Sequence, residues 1–404
     1  MNMKNGYQFI KRILPVLGLG LILLACETPE SASLFDENHQ PATPPTISSV
    51  SPDGEYFAGY QEIVITGQNF TSNTSNLFVY FNNVRAQILS ASETQIVVRT
   101  PNLVADSIGI KVSVLGVEAF SNSWQYRLRA LFRDVVQFPT NENPWAAAYD
   151  ASGNYYVSYE ASGAPAGVKS YNPDGTVRVE SYAPAQSWFY RSAKVGPDGG
   201  LYLIRGGAVP FLYRVDAGGG VAASWGTGIG RTEDVTFDSN GNAWTGGTNE
   251  NNAANSRINR INQARQVTRF DFNAQIYALA YFNNHIYVAG TRGTDSFLWR
   301  VELDANDVPG AEQEIANLTA AGALGRPTAL AIAADGTAFV GMNDSRPMYQ
   351  VSSGGQVTEM YPGIIPGQIL KMEFMTGTQN LLMTILPATG NNRVITLNVQ
   401  KDAP

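Results

Sequence analysis

The chain is short of the residues from which reaction centres are most often built. Its 404 residues hold one cysteine, Cys26, and two histidines, His39 and His285. A single cysteine excludes an intrachain disulfide framework. With His39 in a polar stretch and His285 at a turn, a histidine-ligated metal or a Ser-His-Asp triad has nowhere to assemble. Charge is scarce as well, at 15% of residues, and its balance is acidic, with a formal net charge of −7 and a pI near 5.0. That removes the basic face that nucleic acid or anionic headgroups require. No apolar run reaches the ~18 residues of a membrane-spanning helix, and past the first 26 residues no segment sustains a helical period.

What the chain does contain favours strands and turns: 44% hydrophobic residues, 11% aromatics and 39 glycines. From Pro144 the sequence PWAAAYDASGNYYV sets a pattern that returns in degraded form. The copies are RSAKVGPDGGLYL, TEDVTFDSNGNAW, IYALAYFNNHIYV, PTALAIAADGTAF and ILKMEFMTGTQNLL. Each is an apolar strand, a turn rich in Asp, Asn and Gly, and a second apolar strand, which reads as a β-hairpin. A third strand follows each hairpin. Aligned starts at Pro144, Tyr190, Thr232, Ile276, Pro327 and Ile369 lie 46, 42, 44, 51 and 42 residues apart. Periods of about 40 to 50 residues holding several short strands predict propeller blades. Six copies predict a six-bladed β-propeller over residues 131–404. The last copy lacks a fourth strand, and FRDVVQFP from Phe132 is a spare one, so the start of the domain is expected to pair into the last blade and remove both free edges.

Lys4, Lys11 and Arg12 precede an apolar run from Ile13 to Ala25 that ends in Leu23-Leu24-Ala25-Cys26. This resembles the lipobox of bacterial lipoproteins, which implies a signal peptide over residues 1–25 and lipidation of Cys26. Residues 26–44, rich in Pro, Ser and acid, read as a flexible tether. The folded part would then stand off a membrane held by a lipid anchor alone.

Residues 45–128 alternate in Ile63-Val64-Ile65 and Leu77-Phe78-Val79-Tyr80-Phe81 and break every 8 to 12 residues at turns. This is the pattern of an immunoglobulin-like sandwich. Val50-x-Pro52, Ile65-x-Gly67-x-Asn69-Phe70, Val79-x-Phe81 and Ser121-Asn122 resemble the IPT/TIG family, from which the stretch Asp53 to Ala58 departs as an insertion. The resemblance implies a spacer or interaction module. Gly67 to Phe70 reads as a tight turn followed by a core Phe. The hairpin from Pro144 to Val157 resembles the NHL repeat, which names the propeller type. The whole chain is thus expected to be all-β, a sandwich followed by a propeller.

In propellers, function collects where loops enter the innermost strands. Alignment of the copies places Trp145, Arg191, Glu233, Tyr277, Thr328 and Leu370 in register there, with Trp188, Phe189, Tyr190, Arg231, Arg326 and Tyr361 just upstream. Rings that can cover the C–H face of a pyranose, beside Arg and Glu that can satisfy its hydroxyls, suit a sugar. The expected ligand-binding set is Trp145, Trp188, Tyr190, Arg191, Arg231, Glu233, Tyr277 and Arg326. At least one ring of Trp188-Phe189-Tyr190 is expected to be exposed, because a strand cannot turn three neighbours to one core. Arg231 and Glu233 can also simply pair, and Trp225, Trp244 and Trp299 read as structural.

The order of parts resembles the accessory glycan-binding lipoproteins of polysaccharide-uptake systems in Gram-negative bacteria. That implies an outer-membrane, surface-exposed, non-catalytic protein, without cofactor or metal, whose partners are a poly- or oligosaccharide and an uptake protein. Two alternatives stay open. One is a propeller-class hydrolase or lyase of calcium-lactonase type, with Glu233 and Asp234 as candidate ligands and Asn249 to Asn252 as a further loop. The other is an adhesion or protein-interaction module.

Overall fold

The computed structural model describes residues 40–206, 211–247 and 256–404. The leader, Cys26, His39, most of the tether and the loop at Asn249 to Asn252 lie outside the described residues. Within them the chain is all-β, with one 3-10 turn at Thr74–Asn76. No helix there is long and apolar enough to cross a membrane.

The N-terminal unit is a sandwich of two sheets. One carries Thr46–Ser51, Glu62–Gln68, Gln95–Arg99 and Gln87–Ala91 in that spatial order. The other carries Glu55–Phe57, Trp124–Arg129, Ala105–Val114, Leu77–Phe81 and Val84–Arg85. The alternation in sequence is the packing: Ile63, Ile65, Leu77, Val79 and Phe81 are fully buried between the sheets, each contributing about 1.5–3 kcal/mol. Phe70 joins this core, and Asn69 takes a φ of +59° to turn it inward. A side chain at Gly67 would collide with the Thr46 carbonyl and the Phe70 ring, so glycine is required there.

The Asp53 to Ala58 insertion has a structural job. Glu55–Phe57 pairs parallel to Trp124–Arg129 as an added edge strand. Beyond it, Phe57 and Tyr60 pack on the far end of the chain, where the Tyr60 ring meets Tyr361 edge-on at 4.7 Å and Tyr56 bonds Gln400. Tyr361 is accordingly buried in the contact between sandwich and array, not at a ligand mouth.

Six four-stranded antiparallel sheets follow. The first five use consecutive strands: Glu142–Tyr149 to Val177–Ala183, Tyr190–Val195 to Ala223–Gly226, Asp234–Phe237 to Val267–Asp271, Gln275–Phe282 to Pro309–Asn317, and Pro327–Ile332 to Val357–Glu359. The sixth contains Gly367–Phe374, Asn380–Pro387 and Arg393–Asn398, and its fourth strand is Phe132–Asp134. Arg393 fastens that strand through Asp134 at 2.8 Å. The first strand of each sheet packs against the first strand of the next, and that of the first sheet also packs against the sixth.

The repeated turn has one recurring chemistry. Asp150 Oδ1 accepts from the backbone N–H of Ser152 and Asn154, while Oδ2 accepts from Asn154 Nδ2 and the Tyr156 hydroxyl. Asp238 does the same with Asn240, Asn242 and the Trp244 indole. These donors hold the Asp150 carboxyl below the usual carboxylate range against the opposing effect of burial. The turns at Asp150 and Asp238 are therefore hairpin turns whose carboxylates are satisfied from within. Trp244 and Trp299 are fully buried, and Trp225 packs on Tyr202.

Candidate functional site

The first strands of the six sheets supply the site, and a shared irregularity aims its side chains. Pairing with the second strand shifts register between Pro144 and Ala146, Tyr190 and Ser192, Ile276 and Ala278, Pro327 and Ala329, and Ile369 and Lys371. The residue left between each pair is Trp145, Arg191, Tyr277, Thr328 or Leu370. A β-bulge redirects the extra side chain out of the pleat, here toward the centre of the array. In the third sheet Glu233 stands at the same level, its N–H on the Gly246 carbonyl at 2.8 Å. Trp145, Arg191, Glu233, Tyr277, Thr328 and Leu370, joined by Arg326 and Lys371, line one cavity of about 110 Å³.

Within this mouth the Trp145 indole donates to Glu160 at 3.0 Å, and the Arg191 guanidinium lies over the Trp145 ring at 5.4 Å. Arg326 lies over Tyr277 at 4.4 Å. Arg231 bonds Glu233 at 3.2 Å, the rim pair foreseen from sequence. The site needs Gly206: a Cβ there would come within 2.7 Å of the Arg191 stem.

One step deeper the strands carry a second polar layer. Asp234, nearly fully buried, accepts from the Ser192 hydroxyl at 2.7 Å and the Leu279 N–H at 3.1 Å, with the Lys371 ammonium at 3.7 Å. Lys371 also donates to the Tyr277 carbonyl. Glu373 accepts from the Tyr149 N–H and pairs with Lys194 at 3.3 Å. Burial pushes the Glu373 carboxyl above its ordinary value, with Lys194 opposing. These contacts join the second, third, fourth, sixth and first sheets across the middle of the array. Among the described residues no three His, Cys, Asp or Glu side chains gather into a ligand set.

Three of the residues expected at the mouth do not line the cavity: Arg231 reaches it only through Glu233, and two others are elsewhere. Tyr190 is 2% exposed, its ring in the core of the second sheet and its hydroxyl on Gln186. Burial raises that hydroxyl's pKa to about 12. Trp188 is half-buried, folded onto Tyr213 with Arg205 across its face, and does not line the cavity. No ring of the trio is exposed. Alternation fails here because the bulge follows directly at Arg191 and the preceding loop folds Trp188 back. Phe189 takes the place beside the mouth, edge-on to Trp145 at 6.2 Å. Lys371 was missed in sequence, as were Lys194 and Glu373; their signal was a charge inside an otherwise apolar strand, in RSAKV and ILKMEF.

The IPT/TIG domain family model matches residues 45–127. By sequence, no curated protein matches the chain. Among solved structures, regucalcin from Agrobacterium tumefaciens, described as a calcium-binding protein, is 15% identical over 67% of this chain and 95% of its own, with a TM-score of 0.51. A gluconolactonase from Xanthomonas campestris is 16% identical over 66% of this chain and 89% of its own, with a TM-score of 0.50. An auxiliary nutrient binding protein from Bacteroides thetaiotaomicron is 13% identical over 89% of this chain and 98% of its own, with a TM-score of 0.49. At such identities the likeness is one of fold, a propeller-type all-β array.

Proposed function

We propose that this chain is a non-catalytic, lipid-anchored protein of the bacterial outer-membrane surface that binds a glycan at the array mouth and serves polysaccharide capture and uptake. In this reading the six sheets are the blades of a closed, NHL-like propeller, Cys26 carries the anchor, and the IPT/TIG domain is the stand-off that presents the mouth. The observation that carries it is convergence. Each of the six sheets delivers at least one side chain, from its first strand or the residue before it, to the same cavity, and the set mixes rings, hydroxyl and charge in the manner of a recognition site. Among the described residues the acids and the histidine are otherwise engaged: Glu233 by Arg231, Asp234 by Lys371 and Ser192, and His285 at a hairpin turn bonded to Asn283.

Affinity electrophoresis of the protein against a panel of soluble polysaccharides tests this. Retardation by one polymer, weakened by Trp145→Ala, supports it; no retardation by any polymer, with capture of one envelope protein instead, turns the assignment to an adhesion module. The fold shared with a gluconolactonase and a calcium-binding regucalcin gives the enzymatic reading its specific form. Lactone hydrolysis that depends on calcium and disappears in Glu233→Ala would establish that reading in place of ours.

A further inference from the structure

The two aromatic faces that would stack on a sugar are already covered. Trp145 of the first sheet carries Arg191 of the second on its face, and Tyr277 of the fourth carries Arg326, which leads into the fifth. The two units come from sheets three apart in the chain, so an arginine-on-ring pair occurs twice in the lining of one small cavity. The polar groups around them can be matched off. Arg231 takes Glu233, Lys371 takes Asp234, Lys194 takes Glu373, and Glu160 is held by the Trp145 indole and by Asn143. Among the described residues, Arg191 and Arg326 are left with ring contacts and no carboxylate partner. Both are exposed to solvent in the mouth.

A guanidinium held over an aromatic ring by a cation–π contact spends none of its N–H donors on a carboxylate and keeps them for an arriving carboxylate or sulfate. The contact also restrains the side chain, so less side-chain entropy is lost when an anion arrives. The cavity is small, about 110 Å³. That is room for one charged substituent, with the rest of the ligand on the rim. This cationic spot belongs to a chain of net charge −7, so it is a local arrangement and not an overflow of bulk charge.

We infer that the mouth recognises an anionic sugar, its carboxylate or sulfate group seated between Arg191 and Arg326. The inference rests on the glycan-binding reading for the sugar, but not for the anion. Calorimetric titration of the full protein separates the two. The ligands are an oligogalacturonate, its carboxyl-reduced neutral counterpart, a sulfated galactan oligosaccharide, a neutral galactan oligosaccharide and, alone, sodium citrate and sodium sulfate.

The expected result is that one of the charged oligosaccharides binds and its neutral counterpart binds at least ten-fold more weakly. Arg191→Gln and Arg326→Gln should each lower affinity by about ten-fold or more, the scale of a charge-assisted hydrogen bond. Arg191→Lys, which keeps the charge and loses the fork, should lower it less. Which oligosaccharide binds tells carboxylate from sulfate. Equal binding of neutral and charged forms overturns the inference and leaves the glycan reading standing. Binding of citrate or sulfate alone, lost in the glutamine variants, with no sugar bound, supports the anion site and overturns the glycan reading. Binding of a charged oligosaccharide that survives both glutamine variants, in proteins with unchanged melting temperatures, overturns the site assignment.

Discussion

Two layers of the array, one to three residues apart along its inner strands, put similar side chains to different uses. In the inner layer, Asp234 with Lys371 and Glu373 with Lys194 close on each other across sheets, and hydroxyls and backbone N–H groups complete them. In the outer layer, Arg191 and Arg326 rest on rings and face solvent. Charge in a channel is therefore not in itself a sign of function. The groups that satisfy one another hold the array together, and those left over are available to a ligand. If this division is right, substitutions in the two layers should separate stability from binding.

The largest stability loss is expected for Asp234→Ala. It leaves the Lys371 ammonium, the Ser192 hydroxyl and the Leu279 N–H without their partner, and breaking a buried pair this way costs about 3–5 kcal/mol. Denaturant midpoints at constant slope would read it; a loss below about 1 kcal/mol would mean that the layer is not what ties the sheets together. The second pair should show coupling: Glu373→Leu and Lys194→Met are each expected to be destabilising, while the double variant recovers much of the loss. Additive losses would sink that expectation.

The same glutamate gives a pH signature. Its folded-state pKa is raised by burial, so the folded protein holds this proton more tightly than the unfolded chain does. The stabilisation from that proton is present at low pH and is lost as pH rises past the ordinary carboxylate value. Compared with Glu373→Gln, the native protein should thus lose relative stability between acid and neutral pH; a difference constant over that range would contradict the assignment. The smallest stability effects belong to the outer layer. Arg191→Ala and Arg326→Ala should shift unfolding free energy by no more than about 0.5 kcal/mol while ligand affinity falls. Gly206→Ala, which crowds the Arg191 stem without removing it, should weaken binding by only a few-fold, with melting temperature and titration read on the same sample.

The outer layer was the more legible in sequence, and the reason is the repeat. Trp145, Arg191, Glu233, Tyr277, Thr328 and Leu370 occupy one column of the alignment because the backbone makes the same departure in sheet after sheet, so a one-dimensional register predicts a three-dimensional ring. Ile63, Ile65, Leu77, Val79 and Phe81 were legible for a similar local reason, a strict period of two against one core. The inner pairs were not legible. Asp234 and Lys371 are 137 positions apart and belong to sheets that are not neighbours in the chain, and no local pattern couples them. Tyr190 and Trp188 lie off the mouth because the bulge at Arg191 interrupts the alternation. The Asp53 to Ala58 segment looked like a departure from its family and proved to be the strand that docks the sandwich on the array.

The outer strand of the sixth sheet orders events in time. Phe132 pairs with Leu397, so a ribosome delivers one partner 265 residues before the other. Until then the sixth sheet has a bare edge, and the earlier sheets wait with one flank unprotected through most of translation. Contacts of such long sequence separation form late, after the cost of closing a long loop has been met. A chain cut short by its last dozen residues would lose Arg393–Asn398, the partner of Phe132–Asp134, and leave two sheet edges bare, so such a product should be cut by proteases faster than the full 404 residues.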